Sequence, residues 1–423
     1  MPNIAGKPHV AVLGAGITGS YMALDLAEQG YQVTLIEKGS PGNGASGRSV
    51  AACRQQFSTE STIRGMMYAV RQLRDFASRY ETDQAYFPRG YLFVYRDPEQ
   101  FTVAQTENAL QRQCGLTEAV VLTQTEVAAR FPYVSRDILG GTWCPTDGFM
   151  RPEVIYSTAC EVAERLGVVH YRNTEVLGVD LSGDRITRLH ARKVLRNTDL
   201  DVVGYGDKVD VACDFVVNAT GLWTMKTQAL WSTPGLYPQP EIEPKKVFVY
   251  YLSKNGLTVD FSEWPFVATD CGAYCRPELS GDKMILGWIR RTDPYRAEAP
   301  DRCQDEVPVG FSAHDLDGYA VEMWRELAGW LPVLGDLGMV QHTSGVYDNA
   351  PDHNPFIDND KHVKNLVHAV GFSGHGAMHS PFTARIVRHK LEVGGNTMDL
   401  DGVQLDISAY AIGREFKPEH KVL

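Results

Sequence analysis

The run GAGITG at residues 14–19 constrains this chain more than any other feature, because of what flanks it. A short apolar strand, HVAVL, leads in. A helix with apolar positions at Tyr21, Leu24, Leu26 and Ala27 leads out and stops at Gly30. A second apolar strand over residues 31–37, YQVTLIE, completes a βαβ unit. In that setting Gly14 makes the tight turn and Gly16 lets a pyrophosphate touch backbone, while Gly19 lets helix pack closely on strand. Ile17 and Thr18 lie in the first helical turn, where the helix N-terminus carries partial positive charge. Glu37, followed by Lys38, ends the second strand; a carboxylate there accepts hydrogen bonds from a ribose diol and repels a 2′-phosphate. The pattern predicts a dinucleotide with an unphosphorylated adenosine ribose, and by itself leaves FAD and NAD open.

At 423 residues the chain exceeds what one hydrophobic core supports. Residues 1–88, 151–243 and 339–423 read as three segments of one α/β, Rossmann-type nucleotide domain. Residues 89–150 and 244–338 read as an α+β substrate domain built on an antiparallel sheet. The pattern predicts a helix over 59–80, a strand over 90–95, a helix from 152, and strands over 168–171 and 175–180. A polar insert follows at 196–210, then the strand DFVVNAT running into Gly221. KVFVYYL, GAYCRP and KMILGWI read as strands, 324–331 as a helix, and NLVHAV as a strand before the turn GFSGHG and a helix over 381–391.

A net charge of −11 argues against nucleic acid, which needs a basic surface. No apolar run approaches the ~20 residues of a membrane span, and residues 1–8 hold no apolar signal core, so a cytoplasmic enzyme is expected. The cysteines are scattered without a CxxC pair; Cys271 and Cys275, read on one strand and facing one side, fit buried thiols better than a metal pair. His375 and His379 in HGAMH lack the glutamate of a zinc-protease helix, and no metal is expected.

Three further stretches separate the two cofactors: GASGRSVAACRQQF after the second strand, NATGLW closing the middle segment, and VGFSGHGAMHSP opening the last helix. With them, from residue 9 to about 416, the chain resembles the D-amino-acid oxidase family of flavoproteins, in particular its sarcosine-oxidase-like and glycine-oxidase-like branch. The resemblance implies FAD. It implies that Ser46, Gly47, Arg48 and Ser49 wrap its phosphates and ring edge, and that the backbone of Val176 meets adenine. Ala219, Thr220, Gly221 and Trp223 match the turn beside the cofactor. Gly371, Gly374, His375 and Gly376 match the loop against the pyrimidine edge of the ring. A glycine turn opening a helix suits that place, because its N–H groups stabilise the negative charge that reduction puts there.

The same resemblance supplies the catalytic candidates. Arg54 matches an arginine that pairs with the substrate carboxylate, a task its planar fork suits. Tyr274 matches a tyrosine over the ring face. Tyr347 stands where glycine-oxidase-like relatives carry their carboxylate arginine, and His375 is counted in the catalytic set as well as in the cofactor loop. Gly345, and Ala51 with Ala52, replace the residues that attach flavin covalently in relatives, so FAD is expected to bind non-covalently. Met378 replaces a second carboxylate-binding lysine. Ile285 replaces a lysine that helps activate oxygen, with Lys283 two residues away, which leaves oxygen or an electron-transfer protein open as acceptor. The expected activity is oxidation of a small amine or amino acid, secondary, N-methyl or cyclic, by hydride transfer and imine hydrolysis. A hydroxy-acid dehydrogenase and an FAD-containing assembly protein are the alternatives. The strand-rich region offers the aromatics Tyr250, Tyr251, Trp264 and Trp288, and its pattern leaves open which of them point into the pocket.

Overall fold

A computed structural model describes residues 6–198, 201–232, 239–289, 319–417 and 419. Its first sheet has six strands in the order Phe356–Asn359, Leu366–Val370, Phe215–Asn218, His9–Leu13, Gln32–Ile36 and Val169–Tyr171. All neighbours are parallel except the Phe356–Asn359 edge. The strands are short apolar runs because both faces are covered. Helices Ile17–Glu28, Pro152–Arg165 and Gly376–Glu392 pack together on one face, with Glu60–Tyr80 against the last of them. Their shared core includes Val12, Leu24, Met66, Ile155 and Phe382.

The second sheet has eight strands, in the order Gly338–Asn349, Glu243–Ser253, Lys283–Trp288, Ala273–Pro277, Phe266–Thr269, Tyr91–Tyr95, Gly140–Cys144 and Val120–Thr123. Every pairing is antiparallel but one, Phe266–Thr269 beside Tyr91–Tyr95, where two distant segments of chain join. One face packs on the helix Val321–Trp330 through Trp330, Leu327, Tyr250 and Phe248. The molecule is therefore an α/β Rossmann-type unit joined to a largely antiparallel sheet.

Three expectations are corrected. The polar stretch 196–210 is not an insert: Val202–Ala212 is the third strand of an antiparallel sheet with Thr174–Ser182 and Arg185–Arg196. Much of this sheet is solvent-exposed, so its polarity hid its extended shape. The last helix starts at Gly376, five residues before the expected 381, with Pro381 inside it. Proline there cannot donate to the Ala377 carbonyl, and the Ser380 hydroxyl donates to that oxygen instead at 2.9 Å. Cys271 is exposed in the turn before the Ala273–Pro277 strand while Cys275 is buried within it, so the two do not share a face.

Helix contact at the core is close enough to require glycine. A Cβ on Gly65 would lie 2.1 Å from the Phe382 ring, whereas one on Gly204 would meet nothing within 4 Å. Gly65→Ala is expected to cost about 1–3 kcal/mol through overpacking and to lower the thermal midpoint, while Gly204→Ala leaves it unchanged. Equal midpoints would contradict this packing.

Candidate active site

The carboxyl ends of adjacent parallel strands place their turns side by side, which is where open α/β sheets hold ligands. Gly14 follows His9–Leu13, Ala219 to Gly221 follow Phe215–Asn218, and the turn 371–376 follows Leu366–Val370; these are three neighbouring strands. Glu37 follows the next strand along, Gln32–Ile36. The first two turns interlock: Gly14 has φ +98°, and a Cβ there would sit 2.6 Å from the Ala219 carbonyl oxygen. A Cβ on Gly19 would meet the Gly14 oxygen at 1.9 Å.

These turns border a cleft of about 1830 Å³, its open mouth included. Of the sequence-derived cofactor residues, Gly14, Gly16, Ile17 and Thr18 line it at the first turn, and Glu37 and Lys38 beyond the next strand. Ser46, Arg48 and Ser49 line it from the following loop, and Val176 from its far side. Ala219, Thr220, Gly221 and Trp223 line it from the second turn, Gly374 and Gly376 from the third. Gly19, Gly47 and Gly371 do not reach it. Gly47 is needed for loop packing, since its Cβ would meet the Gly42 oxygen at 2.7 Å, and Gly371 has φ +80° and donates its N–H to Asp348 Oδ2 at 2.9 Å. His375 lies in a second pocket described below.

The donor set suits a dinucleotide. The Ile17–Glu28 helix opens at Gly16 without a side-chain cap, and the Ile17 N–H donates to Ser46 Oγ at 3.0 Å. The Glu37 carboxylate accepts from the N–H groups of Ala15 (2.8 Å) and Gly39 (2.7 Å), which hold it toward the cleft. Burial raises its pKa and those two bonds oppose the rise. Lys38, with its ammonium 4.8 Å from the centre of the Trp223 ring, and Arg48, Arg196 and Lys226 give the cleft cationic walls. Arg48 is fixed by donating to the carbonyls of Asn43 and Gly44.

A second, smaller pocket, of about 350 Å³ with the space open to solvent included, adjoins the cleft and shares Ser49, Val50, Tyr347 and Gly374 with it. It brings together all four catalytic candidates: Arg54, Tyr274, Tyr347 and His375. Arg54 is 2% exposed, and its guanidinium lies 4.4 Å from the centre of the Phe57 ring. One wall is a ring stack supplied by three adjacent strands, Tyr91 on Phe266 (4.4 Å between centres) and Phe266 on Tyr274 (5.5 Å). The hydroxyls of Tyr274 and Tyr347 are hydrogen-bonded, and the Tyr347 ring covers Gly374 so closely that a Cβ there would be 2.3 Å from it. Met378 lines the pocket as an apolar side chain. Of the four aromatics left open above, none lines this pocket: Tyr250 lies in the core of the second sheet, Trp264 stacks on Tyr133, and Tyr251 and Trp288 lie outside its lining. Ile285 is buried away from it, and Lys283 approaches Glu278 at 4.0 Å instead of replacing a pocket lysine.

Sequence reasoning missed Tyr91, Phe266 and Asp147. Asp147 is fully buried behind Arg54, accepting from Gln55 N and Nε2 (both 2.9 Å) and Gln56 Nε2 (3.1 Å). Burial pushes its carboxyl up to about 6 against those bonds and the Arg54 charge. His375 Nε2 meets the His353 carbonyl oxygen at 3.0 Å; the carbonyl only accepts, so Nε2 carries the proton and Nδ1 holds a lone pair. Burial, then His379 and then Arg54, keep His375 neutral well below the usual histidine range, and burial with Arg54 lowers His379 to about 3. Among the described residues no group of side chains has the makings of a metal site, and no helix is long and apolar enough to cross a membrane.

The fold and the cleft are those of a protein that holds a nucleotide cofactor, with a smaller pocket adjoining the cleft. Residues 9–390 match the family of FAD dependent oxidoreductases, and the chain belongs to it. It is similar to FAD-dependent oxidoreductase domain-containing protein 1 of Xenopus laevis, at 26% identity over 92% of this chain and 80% of that protein. It is also similar to glycine oxidase of Geobacillus kaustophilus, at 23% identity over 92% of this chain and 94% of that protein. Among solved structures, L-proline dehydrogenase from P. horikoshii superposes with a TM-score of 0.79 at 24% identity, over 96% of each chain. The protein is thus an FAD-dependent oxidoreductase with amino-acid oxidases and dehydrogenases among its relatives.

His379 gives a pH test of the pocket. Unfolded, it takes up a proton near 6.5; folded, not until about 3. The unfolded chain therefore binds the proton first as pH falls, and stability drops below 6.5 by up to about 1.4 kcal/mol per pH unit. Asp147 acts in the opposite sense, since its raised pKa favours the folded state as pH falls through 6. His379→Leu is expected to flatten the fall in thermal midpoint between pH 6 and 4 relative to wild type. Parallel pH profiles would contradict the assigned burial.

Proposed function

We propose that the enzyme oxidises the C–N bond of a small amino acid, secondary, N-methyl or cyclic, whose carboxylate Arg54 binds in the pocket beside the cleft. The observation that carries this reading is a buried guanidinium at one wall of a small aromatic pocket that shares four lining residues with the cofactor cleft. FAD, when bound, supplies the two-electron acceptor for a hydride leaving the carbon next to nitrogen. The chain's own residues supply position and electrostatics. Arg54 orients the carboxylate, with Phe57 beneath its guanidinium and Asp147 behind. The stack of Tyr91, Phe266 and Tyr274 receives the apolar part of the substrate, and the hydrogen-bonded Tyr274 and Tyr347 border the opening to the cleft.

The nitrogen must be uncharged for its lone pair to expel the hydride. A pocket that already holds the Arg54 cation disfavours a second positive charge and lowers the amine pKa. His375 Nδ1 is a fixed acceptor for the remaining amine N–H, because its other nitrogen is engaged by His353. The imine released is hydrolysed in water. FAD is held without a covalent bond, since Gly345, Ala51 and Ala52 bring no attachable side chain. Lys38, Glu37 and Val176 face the adenosine end, and the turn 371–376 the ring end.

Anaerobic mixing with a panel of N-methyl, cyclic, D- and L-amino acids is expected to bleach the flavin absorbance with at least one of them, leaving an imine-derived amine or ammonia. Bleaching by hydroxy acids alone, with a ketone product, would overturn the amine reading. With the responding substrate, Arg54→Met is expected to raise the half-saturating concentration at least ~30-fold, as loss of one partner of a buried charge pair does. Arg54→Lys should recover part of it. A matching amine without the carboxylate should respond alike to wild type and variants.

A further inference from the structure

Asp348 is a buried carboxylate of the cleft that the reading above leaves without a role. It follows Tyr347 on the Gly338–Asn349 strand, is 8% exposed, and lines the cleft. Its Oδ2 accepts the Gly371 N–H at 2.9 Å, and a Cβ on Gly221 would lie 3.9 Å from the same oxygen. The backbone around it is zipped to the third turn: Ser373 N–H donates to the Asp348 carbonyl (3.1 Å), Asn349 bridges Phe372, and Ala350 N–H donates to Ser373 Oγ (3.1 Å). Asp348 is thereby seated between two of the three turns that border the cleft, in a stretch of backbone with little freedom to move it.

Its position along the cleft is informative. The redox ring has to lie where the substrate pocket meets the cleft, and Ser49, Val50, Tyr347 and Gly374 line both. Asp348 is the immediate neighbour of one of these. The Gly376–Glu392 helix presents its N-terminus to the same end, without a side-chain cap, and its positive dipole favours negative charge there. Among the described residues it is backbone N–H groups, those of Gly371 and Phe372, that answer the charge of Asp348. Burial pushes the carboxyl up to about 6, and the bonds from Gly371 and Phe372 oppose that, so it is ionised in weakly alkaline solution.

We propose that Asp348 is a redox-tuning residue, a fixed negative charge that opposes the helix N-terminus and holds the reduction potential of bound FAD down. Low potential makes the reduced cofactor a stronger donor to the second substrate, at the expense of the driving force for substrate oxidation. The inference rests on the proposed function only for which end of the cleft the ring occupies.

Its test needs no substrate. The midpoint potential of the FAD-loaded enzyme is measured at pH 8 by dye-coupled anaerobic reduction for wild type, Asp348→Asn and Asp348→Glu. Asp348→Asn is expected to bind FAD and to titrate about 30 mV or more higher, a tenfold change in the two-electron equilibrium. Asp348→Glu, which keeps the charge, should stay near wild type. An unchanged or lower potential in Asp348→Asn overturns the proposal, as does failure of Asp348→Asn to hold FAD while Asp348→Glu holds it. Because reduction is by dye, a wrong substrate assignment would leave this result intact.

Discussion

Everything functional in this molecule depends on backbone meeting backbone at the carboxyl edge of one parallel sheet. Neighbouring parallel strands emit their turns on the same side, so three stretches far apart in sequence become three adjacent turns. They can be that close only because the residues at the contact points lack a Cβ. Gly14 against Ala219, Gly19 against Gly14, and Gly374 beneath Tyr347 would each bring atoms within 2.6 Å if they were alanine. The same closeness leaves N–H groups and uncapped helix N-termini facing a cleft, and those are the donors a pyrophosphate and a reducible ring need.

The second sheet completes the cleft and adds the smaller pocket. Its Gly338–Asn349 strand carries Gly345, Tyr347 and Asp348 across the cleft, while three neighbouring strands supply a wall of stacked rings. Arg54 follows closely on Ser46, Arg48 and Ser49, so the buried guanidinium of the smaller pocket and the loop that lines the cleft are one continuous piece of chain. Ala51 sits between them with φ +58°, a strained conformation for a residue with a Cβ, held by its N–H to Ser49 Oγ and its carbonyl to Met150 N–H. A cation beside two histidines that burial keeps neutral gives the pocket a net positive character.

Much of this was legible in the sequence because it is written in glycine and in short apolar runs. The first βαβ unit, the strand into Gly221 and the strand into Gly371 each pair a buried strand with a glycine turn. What was not legible has physical reasons. Tyr91–Tyr95 and Phe266–Thr269 are buried at every position, so no alternation shows which ring faces the pocket, and Tyr91 and Phe266 went unnoticed. Pro381 pointed to a helix start, but Ser380 satisfies the carbonyl that proline leaves, and the helix begins at Gly376. Asp147 and Asp348 are single acidic residues in loops and strand ends; only their burial distinguishes them from surface acids.

The most direct measurement is amide hydrogen exchange on the FAD-free protein before and after adding FAD. Slower exchange is expected together in residues 14–20, 219–223 and 371–377, because one molecule spans all three turns. Protection confined to the first of these segments, with the other two unchanged, would contradict the account.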